Sequence, residues 1–223
     1  IRDSSIALEK SNQINQYNET RKDLDKSMTE EANHIVDKLE GLADRRSIVL
    51  FNEDWHKGVI GIVASRLTEI YYRPAVVLTR TNDMATGSAR SVSGFDVYKA
   101  IEHCRDLLEN FGGHTYAAGL SMKVENVPEF TRRFEQFVSE HILPDQTCAI
   151  INIDAVLDFK DITPKFFTDL KKFNPFGPDN HKPIFSTYHV YDYGTSKVVG
   201  REQEHIKLEL VDNKSNNVMN GIA

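Results

Sequence analysis

Between residues 47 and 142 the chain switches repeatedly between two hydrophobic periods, and this switching limits the folds open to it. SIVLF (47–51) is a short buried β-type run, and NEDWHKG is a loop. VIGIVASRLTEIYY (59–72) has helical spacing that Arg73 and Pro74 stop. AVVLTR (75–80) is strand-like, TNDM turns the chain, and ATGSARSV (85–92) reads as an exposed strand. DVYKAIEHCRDLLENF (96–111) reads as a helix ended by a glycine pair, AAGLSMKV (117–124) as a strand, and VPEFTRRFEQFVSEHI (127–142) as a helix. Strand and helix in alternation predict an α/β domain over residues 45–143.

The flanks read differently. Residues 7–43 predict one long helix within a connecting segment, 1–44, because Ile14, Tyr17, Leu24, Met28, Ala32, Ile35, Leu39 and Leu42 recur at steps of three and four. Arg21 interrupts that stripe, and no helix of comparable length follows to cover it. Such a helix packs on another domain or bridges two; a homodimeric coiled coil is the alternative. LPDQT (143–147) predicts a linker. Residues 148–223 then predict a β-rich domain: AIINIDAVLDF is strand-like, and TPKFFTDLKKF (163–173) is a single helix capped by Thr163 with Pro164 in its first turn. Antiparallel strands follow, turning at Gly194, Gly200 and Asn213, as at the start of a small barrel. The abrupt polar start and the NGIA end predict a piece of a longer protein.

Composition narrows the function. A net charge of −6 excludes a uniformly basic nucleic-acid binder but not a local basic groove. No run is apolar for long enough to cross a membrane. Cys104 and Cys148 lack CxxC spacing, which suits two buried thiols in a reducing cytosol; Cys104 is placed on the apolar side of a helix. The histidines are scattered, and no metal-ligand spacing appears.

Several motifs carry phosphate chemistry. Ser88 and Arg90 share a strand face, with Ser91 beside them; a hydroxyl and a guanidinium fork suit a phosphate, or an ordinary strand edge. Gly58 and Gly61 flank the helix start at Val59, where free N–H groups favour an anion, or where glycine permits close helix–sheet packing. Trp55 is a packing anchor or a stacking platform, and His56 meets a phosphate or caps its loop. Gly112 and Gly113 present His114 at a sharp turn or a close backbone approach; alternatively they cap a helix before a core histidine.

Three stretches, WHKGVIGIVASRLTEIYYRPAVVL, GSARSVSGFDVYKAI and FGGHTYAAGLSM, resemble in order and spacing the DHH-associated domain of the RecJ family, single-strand-specific exonucleases of the DHH phosphoesterase superfamily. NPFGPDNHKPIF with VVGREQEHIKLEL is similar to the start of the OB-fold in that family, and NETRKDLDKSMTEEA to the end of its linker helix. The resemblance implies a long linker helix, a DHH-associated α/β domain and a partial OB-like domain. It implies that His114 acts on the scissile phosphate and that Gly112 and Gly113 let the backbone approach it. It further implies that Ser88 and Arg90 hold the 5′ phosphate, with Ser91 beside them as a phosphate-binding residue and His56 as a further groove residue. The family uses manganese or magnesium held by Asp and His motifs of the DHH domain; those motifs are absent from this sequence, so the chain alone is expected to be inert. The implied partners are single-stranded DNA and the DHH domain in cis, in cytoplasmic repair and recombination. Tyr188, Tyr191, Tyr193, Lys197, Arg201 and Lys207 are available on the OB-like strands, with no binding role given to any one of them. Two alternatives remain: a non-catalytic nucleic-acid-binding module, and a short-oligonucleotide phosphodiesterase of the same superfamily.

Overall fold

The computed structural model describes residues 4–39, 41–177, 179–200, 203–214 and 216–223. It divides into two compact units, Ile1–Ala149 and Ile150–Ala223.

The first unit opens with helix α1 (Ser4–Asp37), shorter than the predicted 7–43. Its first half is exposed, with Ile14 and Tyr17 at 65% and 75%. Its second half buries Asp25, Met28, Ala32 and Val36. Strand β1 (Ile48–Phe51) leads through a loop to helix α2 (Ile60–Tyr71), which Tyr72 ends in a left-handed conformation. Hence α1 does find a cover, although α2 is only 12 residues long. Arg66 of α2 forks onto Asp25 of α1 with two bonds of 2.8 Å. That pairing holds the Asp25 carboxyl below its ordinary range, chiefly through the hydrogen bonds from Arg66.

Strands β2 (Ala75–Thr81) and β3 (Met84–Arg90) form a hairpin, and β3 alternates buried and half-buried residues. The expectation of an exposed strand over 85–92 is corrected here: β3 lies in mid-sheet and pairs on both sides. Helix α3 (Val97–Glu102) is capped by Asp96, which accepts from the Tyr98 and Lys99 N–H groups. It ends after six residues, so the predicted 96–111 helix is also corrected. A 3₁₀ turn (Arg105–Leu107) follows, and the glycine pair then lies inside strand β4 (Leu108–His114). Strand β5 (Ala117–Lys123) and helix α4 (Val127–His141) complete the unit. Cys104 therefore stands between α3 and the 3₁₀ turn rather than within a helix; it is buried, while Cys148 is exposed, against the expectation of two buried thiols.

The sheet order is β1-β2-β3-β5-β4, with β1–β2 parallel and the rest antiparallel. One core joins Val76, Leu78, Ala85, Ala89, Leu120 and Met122 of the sheet to Phe130, Phe134 and Val138 of α4. The opposite core joins Ile48, Leu50, Ala75 and Val77 to Val63, Ala64 and Leu67 of α2 and to Ala32 and Val36 of α1. The sheet thus has α3 and α4 on one face, and α2 against β2 and β3 on the other, with α1 packed beside α2.

In the second unit, Thr163 accepts from Phe166 N–H at 3.1 Å and starts helix α5 (Pro164–Lys171), as its sequence predicts. The strand-like run before it is mostly irregular, and only β6 (Ala155–Val156) pairs, parallel to β7 (Phe185–Ser186). Strands β8 (Val190–Asp192), β9 (Lys197–Val199) and β11 (Val218–Ile222) all pair antiparallel with β10 (His205–Asp212). Tyr188, Tyr191 and Tyr193 are exposed, at 54–60%. Arg201 lies outside the described residues.

Candidate functional site

Residues directly opposite one another in an antiparallel ladder share a sheet face. The register therefore builds a three-row floor on the α2 side of β3, β5 and β4. Arg90, Ala117 and His114 form the first row; Ser88, Gly119 and Gly112 the second; Thr86, Ser121 and Asn110 the third. Small residues dominate its middle. A Cβ added at Gly112 would meet nothing within 4 Å among the described residues, and one at Gly119 only Gly87 O at 3.9 Å. Packing inside this chain thus does not require glycine at either position, although glycine in a strand is unfavourable by about 0.5–1 kcal/mol relative to alanine.

Gly113 differs. Its φ is +154°, and a Cβ there would run into the Ala117 carbonyl and the Ala118 backbone. The two glycines do separate jobs: Gly113 lets β4 close on β5, and Gly112 leaves the floor bare.

A bulge sets which residues reach this floor. Leu108 pairs with Met122 and Asn110 with Ser121, so Glu109 is the extra residue. In unbroken alternation Leu108, Asn110, Gly112 and His114 would share one face. The bulge leaves Leu108 with the core and turns the other three to the floor. Phe111 fixes that phase from the core side, 5.6 Å from the Tyr98 ring and beneath the Arg105 guanidinium at 5.7 Å.

The first turn of α2 forms a wall. A Cβ on Gly61 would lie 3.1 Å from both Ser88 Oγ and Arg90 Nη2, so glycine lets the helix press onto this pair. Arg90 Nη1 donates to Ser88 Oγ at 2.9 Å and to the Ala89 carbonyl at 2.8 Å. No carboxylate pairs with Arg90 among the described residues, which leaves its charge for an anion. Val59, the N-cap, has no side-chain cap of its own. His114 is exposed, and its ring makes no hydrogen bond among the described residues.

The other predicted residues divide. Ser91 is drawn into structure: its N–H donates to Tyr116 O at 3.1 Å and its hydroxyl to Phe95 O at 2.8 Å, which braces the hairpin turn behind His114. The Nδ1 of His56 accepts from Gly58 N–H at 3.1 Å, so the ring caps its loop and its Nε2 carries the proton outward. Trp55 is an anchor rather than a stacking platform: it is 5% exposed and donates Nε1–H to Glu31 at 2.7 Å. Glu31 also accepts from Asn52 Nδ2 at 2.8 Å, and Thr79 Oγ1 donates to Trp55 O at 2.6 Å. Thus α1 and β2 together hold the loop that delivers His56 and Lys57. Sequence reasoning missed Glu31, Lys57, Thr86, Asn110, Gly119 and Ser121. Strand parity would have found the last four, once LENFGGH is read as a strand.

Among the described residues no group of three or more His, Cys, Asp or Glu stands together to hold a metal ion. No helix among them is long and apolar enough to cross a membrane.

An α/β unit with this floor, followed by a β unit, is the architecture of a DHH-associated domain joined to an OB domain. The sequence matches the DHHA1 domain over residues 44–140 and the RecJ OB domain over residues 153–223, and the chain belongs to the RecJ family. It is 34% identical to the single-stranded-DNA-specific exonuclease RecJ of Bacillus subtilis, across 96% of this chain and 27% of the relative. For the Escherichia coli RecJ these figures are 29%, 95% and 37%. The crystal structure of Thermus thermophilus RecJ with Mg²⁺ superposes with a TM-score of 0.80 at 25% identity, covering 94% of this chain and 32% of that one. A manganese-bound exonuclease RecJ superposes with a TM-score of 0.57 at 28% identity, over 66% of this chain and 36% of that one. The chain therefore spans well under half the length of these relatives.

Proposed function

We propose that this chain is the DNA-holding half of a 5′–3′ exonuclease acting on single-stranded DNA in cytoplasmic repair and recombination. One observation carries the reading: Arg90, Ser88 and His114 face one uncovered floor, with no carboxylate on Arg90 among the described residues and bare backbone at Gly112 and Gly119. Arg90 and Ser88 hold the 5′ phosphate, with the first turn of α2 adding its positive end. His114 donates to a non-bridging oxygen of the scissile phosphate, placing a donor where charge builds in the transition state. Ser91 acts through the turn it braces, and His56 offers its Nε2–H at the rim. Gly112 lets the strand backbone approach, and Gly113 fixes the edge strand beneath it.

The related RecJ crystal structures contain Mg²⁺ in one case and manganese in the other. The described residues of this chain offer no cluster of His, Cys, Asp or Glu that fits such an ion. The metal-bearing groups belong to a DHH domain in cis, and the chain alone does not hydrolyse DNA. The match to a RecJ OB domain argues against a phosphodiesterase limited to very short oligonucleotides. A non-catalytic clamp is the second reading: Arg90, Ser88 and the bare backbone at Gly112 and Gly119 would hold a strand without cutting it. The deciding experiment digests 5′-phosphorylated single-stranded DNA with the longer protein that carries this chain, with and without His114→Ala. Lost cleavage with retained binding supports the role of His114; unchanged cleavage refutes it, and a wild type that binds without cleaving favours the clamp.

A further inference from the structure

The third row of the floor, Thr86, Ser121 and Asn110, lies beyond the groups assigned to the 5′ and scissile phosphates. Its residues line an open depression of about 400 Å³, where Thr86, Asn110 and Ser121 meet Lys57, Gly112 and Gly119, with Phe111 and Leu120 completing the lining. None of the side chains of Lys57, Thr86, Asn110 and Ser121 makes a hydrogen bond or ion pair among the described residues. No carboxylate lines the depression. One ammonium, two hydroxyls and an amide, all unspent, are the groups that proteins turn toward nucleic-acid phosphates. The row lies four residues from Arg90 along β3 and four from His114 along β4. At about 3.3 Å per residue that is roughly 13 Å, too far for one phosphate to touch both ends.

We infer that Lys57, Thr86, Asn110 and Ser121 form a second phosphate subsite that takes an internal phosphodiester of the DNA strand. This inference rests on the proposed function and adds to it: the floor is built for a strand of several nucleotides rather than a single terminal nucleotide. Gly112 and Gly119, in the row between Arg90 and Thr86, are the bare stretch between the subsites. The bulge at Glu109 belongs to both, since it turns Asn110 toward one and His114 toward the other.

The test measures binding of the 223-residue chain to single-stranded oligonucleotides with and without a 5′ phosphate, across a salt series. Lys57→Ala should weaken both oligonucleotides equally, several-fold, and flatten the log–log salt slope by about 0.7, the value for one lost phosphate contact on a single strand. Preference for the 5′ phosphate should survive. Lys57→Glu should weaken binding further, and a 5′-mononucleotide should be indifferent to both changes. Arg90→Ala should remove the 5′-phosphate preference instead. An unchanged affinity and slope in Lys57→Ala overturns the inference while the Arg90 result leaves the parent reading standing. Loss of the 5′-phosphate preference in Lys57→Ala also overturns it, since the depression then takes the terminal phosphate. Failure of the Arg90 arm alone strikes the parent reading.

Discussion

Alanine at the two adjacent glycines should act in opposite directions. At Gly113 the new methyl would lie 2.5 Å from Ala118 Cα and 2.7 Å from its Cβ, and against the Ala117 carbonyl, at a φ of +154°. An overpacked contact costs about 1–3 kcal/mol and an unfavourable φ a similar amount. Strand β4 is at the sheet edge and can give way, so the lower end of the sum, about 2–3 kcal/mol, is expected for Gly113→Ala. For a unit of this size that lowers Tm by roughly 5–10 °C. At Gly112 the methyl meets nothing, and the gain in strand propensity makes Gly112→Ala as stable as wild type or better, by up to about 1 kcal/mol. Yet that methyl stands on the floor between the Arg90 and Asn110 rows. Binding of a 5′-phosphorylated oligonucleotide should fall about tenfold, which is 1.4 kcal/mol. Thermal unfolding and fluorescence anisotropy read the two effects separately. Equal loss of stability in both variants would refute the division of labour, as would unimpaired binding by Gly112→Ala.

Other perturbations test the frame around the site. Asp25 titrates below its ordinary 3.8 in the folded chain, so its pairing with Arg66 adds stability that is full above that value and is lost as pH falls through the lowered one. Asp25→Asn should therefore unfold more easily at pH 7, with the difference from wild type shrinking only below about pH 4; a gap that closes near pH 6 would contradict this. Burial pushes the Cys104 thiol up to about 11, whereas Cys148 is exposed. A thiol reagent at pH 8 should modify one cysteine in the native chain and two in denaturant, with Cys148→Ser abolishing the native reaction. Glu31→Ala leaves the indole N–H of the sole tryptophan without its partner and should cost about 1–3 kcal/mol. A red-shifted Trp55 emission and weaker oligonucleotide binding should accompany it; an unmoved spectrum would refute the role of α1 in holding the loop.

Local signals carried much of the fold. Pro74 stops α2, Thr163 caps α5, and the apolar spacing of α4 survives intact because Phe130, Phe134 and Val138 meet one core. The 96–111 segment misled for a physical reason. Val97, Ala100, Ile101 and Cys104 do follow a helical stripe, and all four are buried. Beyond Cys104 the same spacing continues through Leu107, Leu108 and Phe111, but pairing with β5 prevails over local propensity. That one misreading hid half the candidate site, since Asn110 and Gly119 acquire a common face only through the strand pairing. Ser88 and Arg90 were legible as neighbours because strand alternation is local, whereas His114 was singled out through the family resemblance. Ser91 was not legible, because its hydroxyl answers to Phe95 and its N–H to the far side of a hairpin turn.

The extra residue in β4 has a bearing on how chains of this kind can change over time. Insertions and deletions are ordinarily absorbed near strand ends and turns at little cost. Here the loss of Glu109, an exposed residue, would set Leu108 next to Asn110 and leave an unbroken ladder, with Leu108 still opposite Met122 and Asn110 still opposite Ser121. Phe111 would stay with the core and His114 on the floor. A lineage can thus keep or lose residue 109, in mid-strand, without turning a single site residue away. Facing, rather than length, is the inherited character of this strand.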